Sequence, residues 1–528
     1  MQIQTIIPII DIFAGPGGLG EGFSQLKDDK LKFKIALSVE MDEHAHKTLE
    51  LRAFYRQFDK APNEYFDYLN GGIDRESLFS AHPVQAKAAQ EEAWHHEITE
   101  KGIQEVIDRA QQALKKFKSK ECVMIGGPPC QAYSMAGRSR MKATNKDFEK
   151  DPRHFLYRHY LRMVAKLNPA VFVMENVKGL KSATINGELM FPKIMDELGR
   201  PGEIVIELDG LTSAPSRAEY HIYSLVKLES LEKDLAGSAF KPLTPDDYVI
   251  RSEDYGIPQR RHRIILLGVR KDIDPSLAGR LVKMTGELTT SDVLDGLPAV
   301  RSGITAYDDA TWQDWVAAMQ EGLNGGEFDH VDPKTLNRIK QVIKAQKVSL
   351  DRGAERYTAP VGKTRALHQW YRNDCSRLNK ILNHSPKMHM LSDIWRYLFC
   401  TCFAEVHQRT PKLSDFPDNL LPNHGNVDAD NKKNAKFIDR FKVQISTRAA
   451  TTVMSHISKD GHYYIHSDPM QCRAWTVREA ARIQTFPDNY YFEGGKTAAY
   501  HQVGNAVPPR LAWQIAKVVA KYMKAIPT

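Results

Sequence analysis

The feature that most constrains the fold of this 528-residue chain is the alternation of short apolar runs with helical segments. The runs have the length and composition of buried strands, and they span residues 6–13, 33–40, 122–127, 170–177 and 263–270. Stretches between them, such as "ITEKGIQEVIDRAQQALKKF" and "HFLYRHYLRMVAKL", have an amphipathic helical pattern. Because strands that alternate with helices build sheets covered on both faces, we predict an α/β fold with a doubly wound, mostly parallel sheet.

The first apolar run leads directly into a glycine-rich loop, "DIFAGPGGLGEGF", at residues 11–23. Residues 15–20 fit the pattern G-x-G-x-x-G, which binds dinucleotides after a first strand. Glu40 ends the second run about twenty residues past Gly20, where an acidic side chain would accept a ribose hydroxyl. The loop therefore predicts a nucleotide-like cofactor, and taken alone it favours a dinucleotide.

The alternating pattern breaks down from about residue 275 to 470, a stretch rich in Gly, Pro, Asn, Asp and His. Order returns at Thr476, which forms a capping box with Glu479, and the chain ends in an amphipathic helix, "QIAKVVAKYMKAI". We therefore predict three parts. They are a catalytic domain at 1–275 with an insert at about 50–120, a separate irregular domain at 276–470, and a returning C-terminal segment at 471–528.

Cysteine content and net charge limit which cellular compartment and which classes of binding partner the sequence allows. Six cysteines without a C-x-x-C pair are too few for a disulfide scaffold and indicate a reducing cytosol. Cys400 and Cys402, downstream of His384 and His389, match no familiar zinc spacing, so we predict buried thiols and no metal. No stretch has the length of a membrane span or the pattern of a signal peptide, which favours a cytoplasmic protein. The net charge of +8 permits a polyanionic partner without establishing one.

Unusual residues follow the predicted strands at the edge where ligands bind in open α/β sheets. After the third run comes "GGPPCQ", in which two glycines allow close approach and two prolines stiffen the loop. A stiff turn that presents Cys130 into a cleft is the geometry of a nucleophile. The alternative is a buried structural cysteine, which is the commoner situation for this residue type.

Two further polar elements lie in apolar surroundings. Glu175 ends the strand "VFVMENV", where burial of a carboxylate is costly unless the group is paired or protonated. It could donate a proton to a ring or form an ion pair with a nearby arginine. Arg261 and Arg263 alternate at the entry to the last run, which predicts that they face the same side, towards a base or phosphate. The alternative for the two arginines is a solvated basic strand edge.

Together these elements resemble the C5 cytosine DNA methyltransferase family. The matching motifs occur in the family's order, and they are "DIFAGPGG", "GGPPCQAYS", "MENV", "YGIPQRRHR", "WTVREAARIQTFPD" and "HQVGNAVPPR". The resemblance implies a Rossmann-like S-adenosylmethionine domain and a variable target-recognition domain. The latter would occupy residues 276–470, which we call the recognition region.

The resemblance also implies a cofactor site for S-adenosylmethionine. Phe13 would pack on the adenine, Glu40 would hold the ribose hydroxyls, and the glycine loop would approach the methionine part. The cofactor-binding residues implied are Phe13, Gly15, Pro16, Gly17, Gly18, Glu40, Asp151, Leu156, Asn505 and Val507. Asp151 and Leu156 belong to a weaker element, "DPRHFLY". The acid that contacts the adenine amine has no clear counterpart, and Asp59 and Asp74 are candidates.

For catalysis, the resemblance implies that Cys130 attacks C6 of a cytosine flipped out of duplex DNA. Glu175 would contact N3 and the exocyclic amine, and Arg263 would contact O2 with Arg261 in support. The loop residues implied to surround the base are Pro129, Gln131, Ser134 and Asn176. Thiolate addition makes C5 nucleophilic enough to accept a methyl group, after which a base removes the C5 proton and the thiolate leaves.

Three alternatives stay open at this point. The same chemistry could act on RNA, although the large recognition region favours duplex DNA. A Rossmann oxidoreductase would explain the glycine loop but not the Cys130, Glu175 and arginine motifs, and a silent binding subunit would not need them intact. Enzymes that methylate exocyclic amines place an aromatic residue after Pro-Pro, where this chain has Cys130. We expect a monomeric bacterial or phage enzyme, of the kind paired with restriction or defence proteins.

Overall fold

The computed structural model describes most of the chain. The described residues are 4–129, 156–185, 187–209, 216–227, 243–277, 279–309, 311–345, 349–422 and 439–526. Four predicted site residues lie outside these ranges, namely Cys130, Gln131, Ser134 and Asp151. Predictions about those four stay predictions.

A central eight-stranded sheet organises the first half of the chain. Its strands are β1 (Thr5–Ile12), β2 (Leu31–Glu40), β3 (Ala93–His95), β4 (Val123–Gly126), β5 (Val171–Val177), β6 (Tyr220–Ser224), β7 (Val249–Arg251) and β8 (His262–Arg270). The order is β3-β2-β1-β4-β5-β8-β6, and β7 pairs with the start of β8. The first five strands are parallel, whereas β8 runs antiparallel to β5 and to β6. The predicted mostly parallel sheet is confirmed.

The described helices cover both faces of this sheet and extend beyond it. They are α1 (Gly18–Ser24), α2 (Glu43–Arg56), α3 (Asn63–Asn70), α4 (Arg75–Ala81), α5 (Pro83–Glu92), α6 (Ile103–Leu114), α7 (Leu156–Leu167), α8 (Met190–Gly199), α9 (Pro201–Asp209), α10 (Thr290–Leu294), α11 (Trp312–Asn324), α12 (Pro333–Lys344), α13 (His368–Tyr371), α14 (Leu391–His407), α15 (Val477–Ile483), α16 (Lys496–Asn505) and α17 (Pro509–Ala525). Among the described residues, no helix is both long and apolar enough to cross a bilayer.

Alternate side chains of β1 enter two separate cores, as the two-residue period of a strand requires. Ile9 packs in one core with Phe23 of α1 and Leu511 of α17. Ile12 packs in the other with Val106 of α6 and Leu161 of α7. The two cores on opposite faces of one strand account for the mostly apolar sequence of β1, in which the buried Asp11 is an exception.

The C-terminal helix α17 packs in the same core as β1 and lies against α1. Gly22 makes this approach close, because a Cβ atom there would lie 2.3 Å from the carbonyl oxygen of Pro509 and 2.5 Å from the Cβ of Ala512. The glycines of the loop thus have a packing role in addition to any role towards a ligand.

The recognition region has its own core, built from helices α11, α12 and α14. Buried residues of this core include Trp315, Ile339 and Tyr397. Cys400 and Cys402 lie wholly buried on α14, among these apolar side chains. The strands of the region are short, and the longest pair joins Ala354–Tyr357 to Ile381–His384.

The predicted capping box at the start of α15 is confirmed. The hydroxyl of Thr476 accepts a hydrogen bond from the Glu479 backbone N–H at 3.2 Å, and the Thr476 N–H donates to the Glu479 carboxylate at 2.7 Å. Arg473, which is fully buried, donates to both oxygens of the same carboxylate at 2.7 Å. The helix that follows the recognition region therefore begins at a fixed, buried junction.

Candidate active site

The glycine loop begins with a change of backbone direction at Phe13, whose φ of 56° is uncommon for a residue with a side chain. The next two residues tie the loop to β2, because Ala14 donates to the Val39 carbonyl at 3.1 Å and Gly15 donates to the Glu40 carboxylate at 2.7 Å. Phe13 is half-buried, so part of its ring remains available at the edge of the sheet. The loop is therefore held by backbone and carboxylate contacts rather than by its own side chains.

The four residues 15–18 of this loop have different surroundings. Gly15 has a φ of +58°, and a Cβ built on it would meet no atom within 4 Å. At Gly17 a Cβ would lie 2.8 Å from Leu49, and at Gly18 it would lie 2.2 Å from the carbonyl oxygen of Val507. Pro16 is buried. Only Gly15 faces open space, so the space for a ligand lies at the first glycine and the others accommodate protein.

Glu40 stands at the carboxyl end of β2, as the sequence indicates. One carboxylate oxygen accepts from the Gly15 N–H, and the other accepts from the Asp42 N–H at 2.8 Å. Burial raises the pKa of Glu40 above its usual value, although these two backbone donors oppose the shift. The group is thus fixed in orientation at the rim beside the open side of Gly15.

Beneath the loop lies Asp11, a second carboxyl that the sequence analysis did not single out. It is fully buried, faces Gly20 and pairs in register with Ser38 of β2. Within the described part of the chain, no side chain donates a hydrogen bond to either oxygen of Asp11, and the Ser38 hydroxyl has no hydrogen-bond partner. Burial raises the pKa of Asp11 to about 8. The carboxyl therefore retains its proton at neutral pH.

Replacing Asp11 with asparagine should flatten the pH dependence of stability. Between about pH 4 and 8 the native Asp11 holds a proton that the unfolded chain has released, so the free energy of unfolding falls as the pH rises. The amide of Asp11→Asn does not titrate and lacks this component. Urea unfolding at pH 5, 6.5 and 8 measures it, with Ser38→Ala as a control that keeps the carboxyl. Equal pH slopes for wild type and Asp11→Asn would contradict the assignment.

A second group of predicted residues meets where β5, β8 and the loop after β4 converge. The carboxylate of Glu175 on β5 lies 2.8 Å from the Nε of Arg263 on β8. A Cβ at Gly127 would lie 3.0 Å from the other Glu175 oxygen, so this glycine lets the loop pass close to the carboxylate. The predicted nucleophile Cys130 follows Gly127 by three residues, outside the described range.

Arg261 has different partners from Arg263. Its guanidinium is 2% exposed and donates to the backbone carbonyls of Val453 at 2.7 Å and Gly504 at 3.2 Å. It therefore joins the strand entry to the end of the recognition region and to the closing motif. The Arg263 side chain, by contrast, remains partly exposed beside Glu175.

The remaining predicted residues lie at the ends of elements around this edge. Asn176 is buried, and its side-chain oxygen accepts from the Val177 N–H at 2.8 Å. Leu156 begins α7, and Pro129 is half-buried at the last described position before the nucleophile. Asn505 is exposed at the end of α16, whereas Val507 is buried and touches the glycine loop through its carbonyl.

The acid that the sequence analysis could not place has a structural candidate in Glu97. Strand β3 pairs with the end of β2, with His95 opposite Glu40 and the His96 N–H donating to the Glu40 carbonyl at 3.0 Å. Glu97 follows directly and is exposed at that edge. Asp74 instead caps α4 by accepting from the Ser77 N–H at 2.8 Å, and Asp59 is exposed in a turn. A three-residue strand leaves no periodic signal, which explains why sequence reasoning missed this position.

Comparisons with known proteins place the chain in a family. The family model described as C-5 cytosine-specific DNA methylase matches residues 81–202 and 246–521. The Type II methyltransferase M.Bpa9945I of Bacillus paralicheniformis is 31% identical, over 97% of this chain and 98% of its own length. The Putative type II methyltransferase M.OihORF3336P of Oceanobacillus iheyensis is 24% identical, over 97% of this chain and 95% of its own length. The DNA (cytosine-5-)-methyltransferase M.ApeKI of Aeropyrum pernix is 26% identical, over 76% of this chain and 82% of its own length.

Proposed function

Since the chain belongs to the C-5 cytosine-specific DNA methylase family, it is a DNA (cytosine-5-)-methyltransferase, and we propose that it acts through a covalent Cys130 adduct on a flipped-out cytosine in duplex DNA. The observation that carries this proposal is the ion pair of Glu175 with Arg263, close beside Gly127, at the carboxyl edge of the sheet. Family membership excludes the oxidoreductase alternative.

In the proposed reaction the Cys130 thiolate forms a bond to C6 of the cytosine. The electron pair of the C5–C6 double bond shifts to C4–C5, and the pair of the C4–N3 double bond shifts onto N3. Glu175 hydrogen-bonds or protonates N3, which accepts the charge that develops there. Arg263 orients the Glu175 carboxyl and lies beside it on the next strand. C5 would then take the methyl group as the donor's carbon–sulfur bond breaks, with that electron pair staying on the donor sulfur. A base removes the C5 proton, and the pair of the C5–H bond re-forms the C5–C6 double bond as the C6–sulfur bond breaks and releases the Cys130 thiolate. A proton delivered to N3 returns to Glu175.

S-adenosylmethionine would supply the methyl group as a sulfonium electrophile. The open side of Gly15 would give room for its methionine part, and the half-buried Phe13 stands two residues before it in the loop. The Glu40 carboxylate at the rim would accept the ribose hydroxyls, and the exposed Glu97 would accept the adenine amine. The residues present therefore fit this cofactor at the first glycine of the loop.

The target base has to leave the duplex, because the C6 face of a stacked cytosine is closed to a nucleophile. Flipping costs a few kcal/mol, and contacts of the net positive chain with phosphates would help to offset it. The recognition region would choose the sequence, since direct readout needs side chains in a groove. The type II relatives support a role beside a cognate restriction nuclease, whose sites the enzyme would protect in the bacterial cytoplasm.

Covalent trapping tests this proposal. Duplex DNA that carries 5-fluorocytosine should form a complex with the protein that survives denaturing electrophoresis, provided that S-adenosylmethionine is present. Fluorine at C5 cannot leave as a cation, so the adduct persists after methyl transfer. The same fluorinated site in RNA serves as the comparison. Trapping on RNA alone would show that the substrate is RNA rather than DNA. Trapping on neither nucleic acid would overturn the covalent mechanism.

Tyr490 offers a prediction about the cofactor loop. Its buried hydroxyl donates to the carbonyl of Pro16, so it holds the Pro16–Gly17 peptide, one residue after Gly15. Tyr490→Phe removes this hydrogen bond, and we expect the KM for S-adenosylmethionine to rise by about fivefold, corresponding to ~1 kcal/mol. Steady-state kinetics at saturating DNA measure this change.

Tyr371→Phe is the matched control for that substitution. The Tyr371 hydroxyl is equally buried and donates to the Arg482 carbonyl at 2.7 Å, on the recognition side of the molecule. Both variants should lose similar thermal stability, but only Tyr490→Phe should raise the cofactor KM. An equal rise in the cofactor KM of both variants would mean that the Tyr490 hydrogen bond stabilises the fold in general and has no specific effect on the cofactor loop.

A further inference from the structure

The segment between α2 and β3 is the least expected part of the catalytic half, and its position suggests what it does. Helices α3–α5 pack on α2 and share a core with residues of the recognition region. Leu69 and Tyr65 of the segment and Cys375, Leu378 and Leu382 of the recognition region are all buried in this core. We call α3–α5, residues 63–92, the brace helices.

Arg377 directs its polar contacts across this interface. Its guanidinium donates to the Ala61 carbonyl at 2.6 Å and to the Asn63 side chain at 2.9 Å, and it lies 4.2 Å from the centre of the Phe66 ring. In return, Asn70 donates to the Arg377 carbonyl at 3.1 Å and accepts from the Asn379 N–H at 3.0 Å. The two sides therefore interlock through both side-chain and backbone atoms.

A second arginine repeats this connection. Arg356 donates to the Leu69 carbonyl at 3.1 Å and lies 4.7 Å from the centre of the Tyr491 ring. Tyr68 donates to the Glu493 carboxylate at 2.6 Å. One arginine thus joins the brace helices, the recognition region and the C-terminal segment.

The braced residues lead directly into the junction between the two halves. Strand Ile381–His384 pairs with Ala354–Tyr357, which carries Arg356. The His384 ring lies within hydrogen-bonding distance of the Thr476 hydroxyl at 2.9 Å and of the Pro298 carbonyl at 3.0 Å. A shift of this strand pair would therefore disturb Pro298 near the start of the recognition region and Thr476 at the start of the C-terminal segment.

The outer surface of the brace helices does not suit a contact with DNA. Their exposed charged side chains are Asp67, Asp74, Glu76, Lys87 and Glu91. Four of these five are acidic, whereas a phosphate-binding surface is basic. The contacts of these helices point inward to the recognition region instead.

We infer that α3–α5 act as an internal brace that fixes the recognition region relative to the cofactor half, with Arg377 and Asn70 as positioning residues for DNA. This inference rests on the proposed function, because it assumes that the recognition region binds the target duplex. The brace acts on where the DNA lies and leaves the cofactor site, which is built on β1 and β2, unchanged.

The test compares DNA and cofactor kinetics of Arg377→Ala and Asn70→Ala in the full-length protein. We expect the KM for duplex DNA to rise about tenfold in each, while the KM for S-adenosylmethionine and the kcat stay within about twofold. The double variant should show less than the product of the two effects, because both substitutions weaken one interface.

Arg270→Ala is the control, since Arg270 also joins two segments, pairing with Glu121 at 2.8 Å and donating to the Asn168 carbonyl at 3.1 Å, at the end of β8 away from Arg263 and outside the recognition region. It should leave the DNA KM unchanged. If wild type methylates duplex DNA but both brace variants keep its DNA KM, or if they lose DNA and cofactor affinity equally, the brace inference is wrong. A wild type that does not methylate duplex DNA would instead refute the proposed function.

Discussion

Replacing Cys130 with alanine should abolish cytosine methylation, lowering kcat by about four orders of magnitude or more. Without the thiolate no bond forms at C6, and C5 of an intact cytosine is too weak a nucleophile to take a methyl group. Loss of a covalent nucleophile typically costs this much in other enzymes. Single-turnover transfer of a labelled methyl group to duplex DNA measures the effect.

Cys122→Ala is the matched control for this substitution. Cys122 lies buried directly before β4, and burial raises the pKa of its thiol to about 12, so it is not a thiolate at neutral pH. Its replacement should change kcat by no more than about twofold. Cys130→Ala should still bind S-adenosylmethionine in calorimetry. Methylation at C5 by Cys130→Ala at a rate near that of wild type would refute the covalent mechanism.

Glu175→Gln should slow methyl transfer by about 10²- to 10⁴-fold and leave cofactor affinity nearly unchanged. The amide is close in size but cannot deliver a proton to N3, and it loses the charged contact with Arg263. The glycine loop follows β1, whereas Glu175 belongs to β5 and Arg263 to β8. Pre-steady-state rates and calorimetry on the same preparation separate the two quantities.

Glu253→Gln provides a comparison of similar chemistry. Glu253 is buried, and its carboxylate lies 2.8 Å from the ring of His262, the residue before Arg263. Glu253 is not part of the proposed contact with the base. We expect its kcat to stay within about threefold of wild type. If Glu175→Gln loses rate and cofactor affinity to the same degree, its role is structural rather than chemical.

The sheet could be predicted from the sequence because its long strands are buried on both faces. Such strands are continuous apolar runs, and the predicted run at 6–13 corresponds to β1 at Thr5–Ile12. Strand β3 has only three residues and gave no signal. Helix α14 was missed for a different reason: it is buried on nearly all sides, so it lacks the polar face that marks a surface helix.

The candidate site was predictable where a polar residue interrupts an apolar strand. Glu175 and Arg263 met this condition, and the structure brings them within 2.8 Å of each other. The separate surroundings of Gly15 and Gly18 were not predictable, because they depend on where the carbonyl of Val507 comes to lie. The buried hydrogen bonds of Arg261 were not predictable either, because their acceptors lie 192 positions away at Val453 and 243 positions away at Gly504.

The central claim, C5 methylation of cytosine in duplex DNA, is tested most directly by bisulfite sequencing of DNA from cells that express the protein. Cells that express Cys130→Ala provide the background. The account predicts that one recurring sequence resists conversion at a single cytosine in the wild-type sample and converts fully in the variant sample. Complete conversion of cytosines in the wild-type DNA, with resistant cytosines in RNA from the same cells, would contradict it.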